Sequence, residues 1–446
     1  MKLRTTVTAS LLLLCAAQSK AQDLAGEVAA LRDALSEMKS EYQNRIEELE
    51  GRLAAAEARV EDAAGDAEEA VEIAEETAIL QTSDTTAANT FNPAIGAVLV
   101  GRIADVEGGW EAIPGFLPGG ELGPGGSGFS LGESELNIKA SIDPLFYGNL
   151  TLALEDEAGE TEIGVEEAWI QTTSLGNGLT GTAGRFFSGV GYLNKFHRHA
   201  DDFVDRPLPY QAFFGGQYIV DGIQATWLAP TPLFLELGSE LGWGSGFPAT
   251  ANHESSPGNW SLFAKLGGDL SLSHSWQLGL SYLSADVNER GAGEDAAPDD
   301  VFSGDSDLAG IDFIWKWAPD GNNLVRNFKL AGEYFRREEQ GTFAGLSYDG
   351  DQDGWYLQGV YQFRQGWRAG LRHDAVSSDN GSLFTGTPLA DPASSSRRDS
   401  VMLDWSPSEY SRWRLQYTHD RVLQESDSQF FIQYLMSLGA HGAHQF

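Results

Sequence analysis

Residues 430–446 read FFIQYLMSLGAHGAHQF. The even positions run Phe430, Ile432, Tyr434, Met436, Leu438; the odd positions mix Gln433, Ser437 and His441 with Phe431 and Leu435. A period of two belongs to a strand, not a helix. In a water-soluble sheet the terminal ring of Phe446 would have nothing to cover it; a closing strand with one face against lipid gives it a place. The same alternation recurs upstream. Ile311, Phe313, Trp315 and Trp317 alternate with Asp312, Ile314 and Lys316; Trp355, Leu357, Tyr361 and Phe363 with Gln358, Gln362 and Arg364; Trp413, Leu415 and Tyr417 with Arg412, Arg414, Gln416 and Asp420. Trp and Tyr gather at the ends of the apolar faces, where a membrane interface favours them.

From residue 94 onward 16 segments have this character: 94–105, 133–143, 146–156, 162–174, 179–188, 217–229, 232–243, 260–272, 275–287, 308–318, 326–338, 353–364, 367–377, 398–406, 411–421 and 428–446. Their links alternate between short turns ("DPL", "LGNG", "RQG") and long Gly- or Asp-rich stretches (106–132, 189–216, 244–259, 288–307, 378–397). No stretch reaches the ~20 apolar residues of a membrane helix. The pattern predicts an all-β transmembrane barrel of about 16 antiparallel strands over 94–446. Its short turns and both ends would face the periplasm. The 12 Trp, 13 Tyr, 23 Phe and 52 Gly suit such a barrel.

The first 93 residues read differently. Lys2 and Arg4 precede "LLLLCAA" and "SKA", so 1–21 reads as a signal peptide. Cys15, the single cysteine, lies within it and follows Leu14, too bulky for the usual lipobox. A mature chain without thiols excludes disulfides and cysteine catalysis. Residues 22–81 hold no Pro, 17 Asp/Glu and 5 Lys/Arg, with apolar residues alternating four and three apart from Leu24 to Ala67. That is the heptad seam of an α-helical coiled coil, with a stutter at Tyr42–Ile46–Leu49. A single charged helix or spacer is the alternative. Residues 82–93 read as a linker. The formal charge of −36 argues against nucleic acid and anionic lipid surfaces and favours a cation-attracting lumen.

The phrases FNPAIGAVLVGRIAD (91–105), GFSLGESEL (128–136), AGRFFSGVGYLNKFHRHADDFVDRPL (183–208) and SLGAHGAHQF (437–446) carry a resemblance. The chain resembles coiled-coil-headed outer-membrane porins, including phosphate-selective-type, dicarboxylate and siderophore-porin relatives. It is most similar to proteobacterial proteins labelled zinc-regulated or TonB-dependent outer-membrane receptors. The resemblance implies an outer-membrane location in a Gram-negative bacterium, a periplasmic coiled coil that trimerises the chain, and recognition of Phe446 by the barrel-assembly machinery. It makes 189–216 an inward loop that narrows the pore, with metal uptake as the cargo class. An energised receptor, however, needs a globular plug within about 22 strands. Sixteen strands preceded by a helix point to passive passage of small solutes, with zinc or metal chelates as the cargo the resemblance favours. The energised receptor and a structural barrel tethering the envelope are the alternatives.

The expected constriction gathers His197, Arg198, His199, Asp201, Asp202, Asp205 and Arg206. If that stretch is extended, His197, His199 and Asp201 share a face, and imidazole with carboxylate suits zinc. The plainer alternative is that these side chains pack the loop against the wall. Glu135, Lys139, Glu155, Lys316, Glu333, Arg364, Arg368, Arg372 and Arg414 have the parity of lumen charges. No Ser-His-Asp order, phosphate loop or HExxH occurs, so neither an enzyme nor a bound cofactor is expected.

Overall fold

The computed structural model describes residues 93–439 except 111, 120–121, 158–159, 244–245, 251–255, 292–299, 394 and 424–425, together with seven scattered helical residues between 32 and 51. Residues 1–21, most of 22–81, 82–92 and Phe446 lie outside the described residues, and with them the signal, the linker and the terminal aromatic. The chain divides at Thr90/Phe91 into two units; the second is the barrel.

Its strands are β1 (Ala94–Val106), β2 (Gly128–Leu131), β3 (Ser134–Ser141), β4 (Phe146–Glu157), β5 (Glu160–Thr172), β6 (Leu179–Phe187), β7 (Ile219–Leu228), β8 (Phe234–Gly242) and β9 (Asn259–Ser271). They continue as β10 (His274–Arg290), β11 (Phe302–Trp317), β12 (Asn327–Phe343), β13 (Leu346–Arg364), β14 (Trp367–Asp379), β15 (Ser396–Ser408), β16 (Ser411–Arg421) and β17 (Asp427–Gly439). Each pairs antiparallel with its sequence neighbour, and β17 returns to β1 from Gly96↔Gly439 to Val106↔Gln429. The other edge of β1 takes β2 and β3 in turn, so these two form one strand interrupted at Gly132–Glu133. The result is a closed antiparallel barrel of 16 strands. Closure leaves no sheet edge, which is what a strand protein needs in hydrocarbon, where unpaired amides find no water.

The layering is inverted relative to a soluble protein. On β11, Ile311 and Phe313 are each 43% exposed, whereas Asp312 between them is 1% exposed. Among the most buried side chains are Arg337, Arg398 and Arg414. Rings collect toward both ends of the outer face. Trp260–Tyr282 lie near the long-loop side, and Trp367–Trp405 and Trp413–Tyr434 near the short-turn side, with centroids 5.4, 5.7 and 4.5 Å apart. Phe430, Ile432, Tyr434 and Met436 point outward and Phe431, Gln433 and Leu435 inward, as the alternation predicts.

Strands β10–β13 overrun the sequence reading. They span 16 to 19 residues each, and the expected 288–307 loop shrinks to 291–301. Strands β12 and β13 meet in a two-residue turn, Ala344–Gly345, whose positive φ values (50° and 76°) match the tight primed hairpin turn. These extensions alternate charged with small residues rather than apolar with polar, so a hydrophobic period does not reveal them. Outward they carry the exposed Arg336–Asp351 pair; inward they bury Arg290 and Arg337 on Glu339.

Leu99 is an outward residue at the middle of β1, between Ile95 and Ile103 on the closing seam. Leu99→Arg should lower stability by about 2–4 kcal/mol, the cost of a cation on the lipid face near the midplane. Reversible denaturant unfolding from lipid vesicles measures it; an unchanged midpoint would mean that this face does not meet lipid.

Candidate functional site

Between β6 and β7, residues 188–218 leave the wall and run inside the barrel. The run contains two short 3-10 turns, Leu193–Lys195 and Arg198–Ala200, and one helical segment, α1 (Leu208–Phe214). Pro207 and Pro209 suit the start of α1, where no intrahelical donor is needed, and Gly215 at φ 61° ends it in the left-handed region. Every residue of α1 is buried.

Folding a loop into a lumen strips its amides of water, so the wall must replace that water. Glu333 of β12 does most of this. Its carboxylate accepts from the Tyr192 and Leu193 amides (2.7 and 3.1 Å) and from the Tyr210 and Tyr356 hydroxyls (3.0 and 2.6 Å). Asp374 accepts from the Leu208 amide at 2.7 Å, and Glu240 from the Ser188 hydroxyl and the Gly189 amide at 2.6 and 2.8 Å. Asn194 ties the two ends of the loop, donating to the Ser188 and Tyr218 carbonyls.

The loop acids meet wall cations. Asp202 pairs with Lys329 (2.5 Å) and Arg368 (3.0 Å), and Asp205 with Arg398 (2.7 Å) and Arg372 (3.0 Å). Arg414 donates to the carbonyls of Asp201 and Phe203. Burial opposes ionisation of Asp205, but Arg372 and Arg398 outweigh it and hold the carboxyl down at about 2. Burial and neighbouring Asp202 push Asp201 up to about 6, against the pull of Arg206 at 2.6 Å.

The extended run expected for 197–201 is interrupted by the 3-10 turn at Arg198–Ala200. His197 and His199 still stack at 5.5 Å, but Asp201 turns away onto Arg206. The histidines meet wall carboxylates: His197 meets Glu135, Glu166 and Glu167, each at 3.1 Å, and His199 meets Glu135 at 2.7 Å. Burial disfavours the imidazolium, but the three carboxylates push His197 up to about 12. Arg198 pairs with Glu133 at 3.1 Å.

Among the lumen charges read from parity, Glu135, Glu333, Arg368, Arg372 and Arg414 contact the loop, and Lys139 and Lys316 line the cavity beneath it. Arg364 is exposed beside the β13–β14 turn, past a register shift, and not in this group. The side chain of Glu155 lies outside the described residues. Sequence reading missed Glu133, Glu166, Glu167, Lys195, Lys329, Asp374, Arg398 and Arg412. It also missed the second inward segment, in which Trp110 and Phe116 of the β1–β2 loop join Tyr210, Phe213 and Phe214 in one aromatic cluster in the lumen. Apolar residues in "WEAIPGFLP" (110–118) were the available signal for that segment.

Below the loop, toward the short turns, lies a cavity of about 560 Å³. Lys139, Lys195, Lys316, Lys329, Arg368 and Arg412 line it, against the carboxylates Glu135, Asp201 and Asp202. All three carboxylates are engaged in the ion pairs described above. The global charge of −36 therefore does not extend to this cavity, where cations exceed carboxylates.

No protein-family model matches the chain. A protein of Aquifex aeolicus (strain VF5), described only as uncharacterized, is 29% identical over 341 residues, covering 72% of this chain and 70% of its own. Among solved structures, the outer membrane channel DcaP of Acinetobacter baumannii aligns with a TM-score of 0.52 at 11% identity, over 78% of this chain and 97% of that one. OmpT of Vibrio cholerae in its trimer form gives 0.49 at 10% identity, over 78% and 99%. At such identity the likeness to DcaP is one of fold alone, a porin-like β-barrel of 16 strands.

Asp205→Ala removes the carboxylate that Arg372 and Arg398 share. A loss of about 1.5–3 kcal/mol is expected, the size of a lost charge-assisted hydrogen bond, since both arginines keep Asp374, with a larger and noisier single-channel conductance as the loop loosens. In the unmodified protein this anchor is complete above the ordinary carboxyl range and is lost as pH falls through about 2. Acidification from pH 7 to 5 should therefore leave this anchor intact; a change in conductance steps over that range would report Asp201, pushed up to about 6, and not Asp205. Equal stability and conductance in the variant would show that the pair does not hold the loop.

Proposed function

We propose that the protein is a passive outer-membrane channel that prefers small anionic solutes. The observation that carries this reading is the cavity, lined by six Lys and Arg side chains against three carboxylates, so that cations stay in excess even with Lys329 and Arg368 paired to Asp202. Charged groups across a narrow lumen sort solutes by sign and size. A bare dication meets like charge on the cationic wall, so metal cargo fits there only as an anionic chelate. The inward loop and the 16-strand wall support diffusion rather than an energised cycle, because the described lumen is narrowed by the barrel's own loops, where an energised receptor would carry a separate globular plug. Neither a cofactor nor a catalytic constellation enters this reading.

Planar-bilayer recordings in a salt gradient test it. The reversal potential should report anion preference, and Lys139→Glu combined with Lys316→Glu should shift it toward cations. A cation-selective unmodified channel would refute the anion preference. A silent barrel would refute the channel and favour an envelope tether.

The heptads of 22–81 support a homotrimer with its coiled coil in the periplasm. Removing 22–81 should convert trimer to monomer in light scattering of the detergent-solubilised protein; a trimer that survives the deletion would place the association in the barrel.

A further inference from the structure

Strand β5 carries a β-bulge. Opposite it, Thr151 pairs with Glu167 and Leu152 with Val165, so Glu166 is the extra residue. A bulge re-aims a side chain that strict alternation would send to the other face. Here it turns two consecutive glutamates into the lumen, both buried. They converge with Glu135 of β3 on the loop residue His197.

The atoms are specific. His197 Nδ1 lies 3.1 Å from Glu135 Oε2 and 3.1 Å from Glu166 Oε2, and the three ligand-type atoms fall within 4.8 Å of one another. On the far side of the same ring, Nε2 lies 3.1 Å from Glu167 Oε2. Glu167 is itself held by Asn149 and by the Trp169 indole, and the other oxygen of Glu135 meets His199 Nδ1 at 2.7 Å. Beside them the Glu133 carboxyl reaches Glu166, and its Oε1 is buried without a hydrogen-bond partner.

We propose that Glu135, Glu166 and His197 Nδ1 bind a divalent transition cation of the Zn²⁺ class. Bonds of about 2.0–2.2 Å from such an ion to N and O set its ligands roughly 3.3 Å apart in a tetrahedron, so the two Nδ1–oxygen spacings of 3.1 Å need a small expansion, and the two carboxylate oxygens, within 4.8 Å of each other, close on the ion. The remaining contacts are those a metal-bound imidazole needs. Glu167 accepts Nε2–H, which fixes the tautomer that leaves Nδ1 as the ligand, and His199 orients Glu135. Imidazole with carboxylate favours this cation class over Ca²⁺ or Mg²⁺, which take oxygen ligands. Three carboxylates (Glu135, Glu166, Glu167) converge on the His197 ring, two of them on the same nitrogen, which is the donor arrangement a dication needs. Binding displaces the proton from Nδ1, forms two carboxylate–metal bonds, and clamps the loop to β3 and β5. This site does not depend on what the channel carries.

The test uses the full-length protein in detergent, stripped with a chelator and then titrated with Zn²⁺ by calorimetry and with Co²⁺ by visible absorption. One cation per chain is expected, with the intense absorption of four- or five-coordinate Co²⁺. Glu166→Gln and His197→Ala should abolish the stoichiometric phase, and Glu167→Gln should weaken it about 10- to 100-fold. Circular dichroism and heat-dependent gel migration establish that each variant is a folded barrel; Glu167→Gln keeps the test open if His197→Ala does not fold. A folded, conducting unmodified protein that takes up no stoichiometric Zn²⁺ would overturn the site and leave the channel reading intact. Binding unchanged in both ligand variants would also overturn it. Binding by a silent barrel would support the site and refute the channel.

Discussion

Hydrocarbon offers a backbone amide no partner, and this structure follows from that constraint. The pairing of β17 with β1 removes the last two edges of the sheet. Once the sheet is closed, period two acquires a fixed meaning: one face meets lipid, the other a lumen. Ile311 and Asp312 are neighbours in sequence and opposite in environment for that reason. The seam is therefore the contact on which the layering of every other strand depends.

A polar lumen solves one problem and creates another, because charges gathered inside a barrel must be paired or hydrated. The inward loop fits this need. It delivers Asp202 and Asp205 to wall cations, and it takes its own missing hydrogen bonds from wall acids such as Glu333 and Asp374. Loop and wall are thus complementary group by group: β12–β16 present Lys329, Arg368, Arg372, Arg398 and Arg414 to the loop together with Glu333 and Asp374, and β3–β5 present Glu135, Glu166 and Glu167. The charge of the lumen is decided by this mutual neutralisation. A chain of net charge −36 can hold a cation-rich cavity because its acids inside are engaged, while others sit on outward surfaces such as Asp351.

The barrel was legible because its signal is local. Alternation marked the strands, and turn lengths separated the two ends. It faded where the local signal changes character: the upper parts of β10–β13 alternate charge with glycine and serine and resemble solvated loops. The site was legible in part. His197 and His199 were found by residue type, but Glu166 and Glu167 escaped because alternation assigns one of any two consecutive residues to lipid, and only the bulge opposite Thr151–Leu152 reverses that. Asp201 was grouped with the histidines on the premise of an extended chain, which the 3-10 turn at Arg198–Ala200 breaks.

By itself the sequence determined the class of fold, the strand number and the face of strand residues away from bulges and register shifts, because a period of two and a run of turn residues are properties of a few adjacent positions. Only the tertiary structure decided which charges meet. Arg414 reaches Asp201 across 213 residues, His199 reaches Glu135 across 64, and Tyr192 reaches Glu333 across 141. Such partners are set by the curvature of the closed sheet and the path of one loop through it, and no short window of sequence contains either.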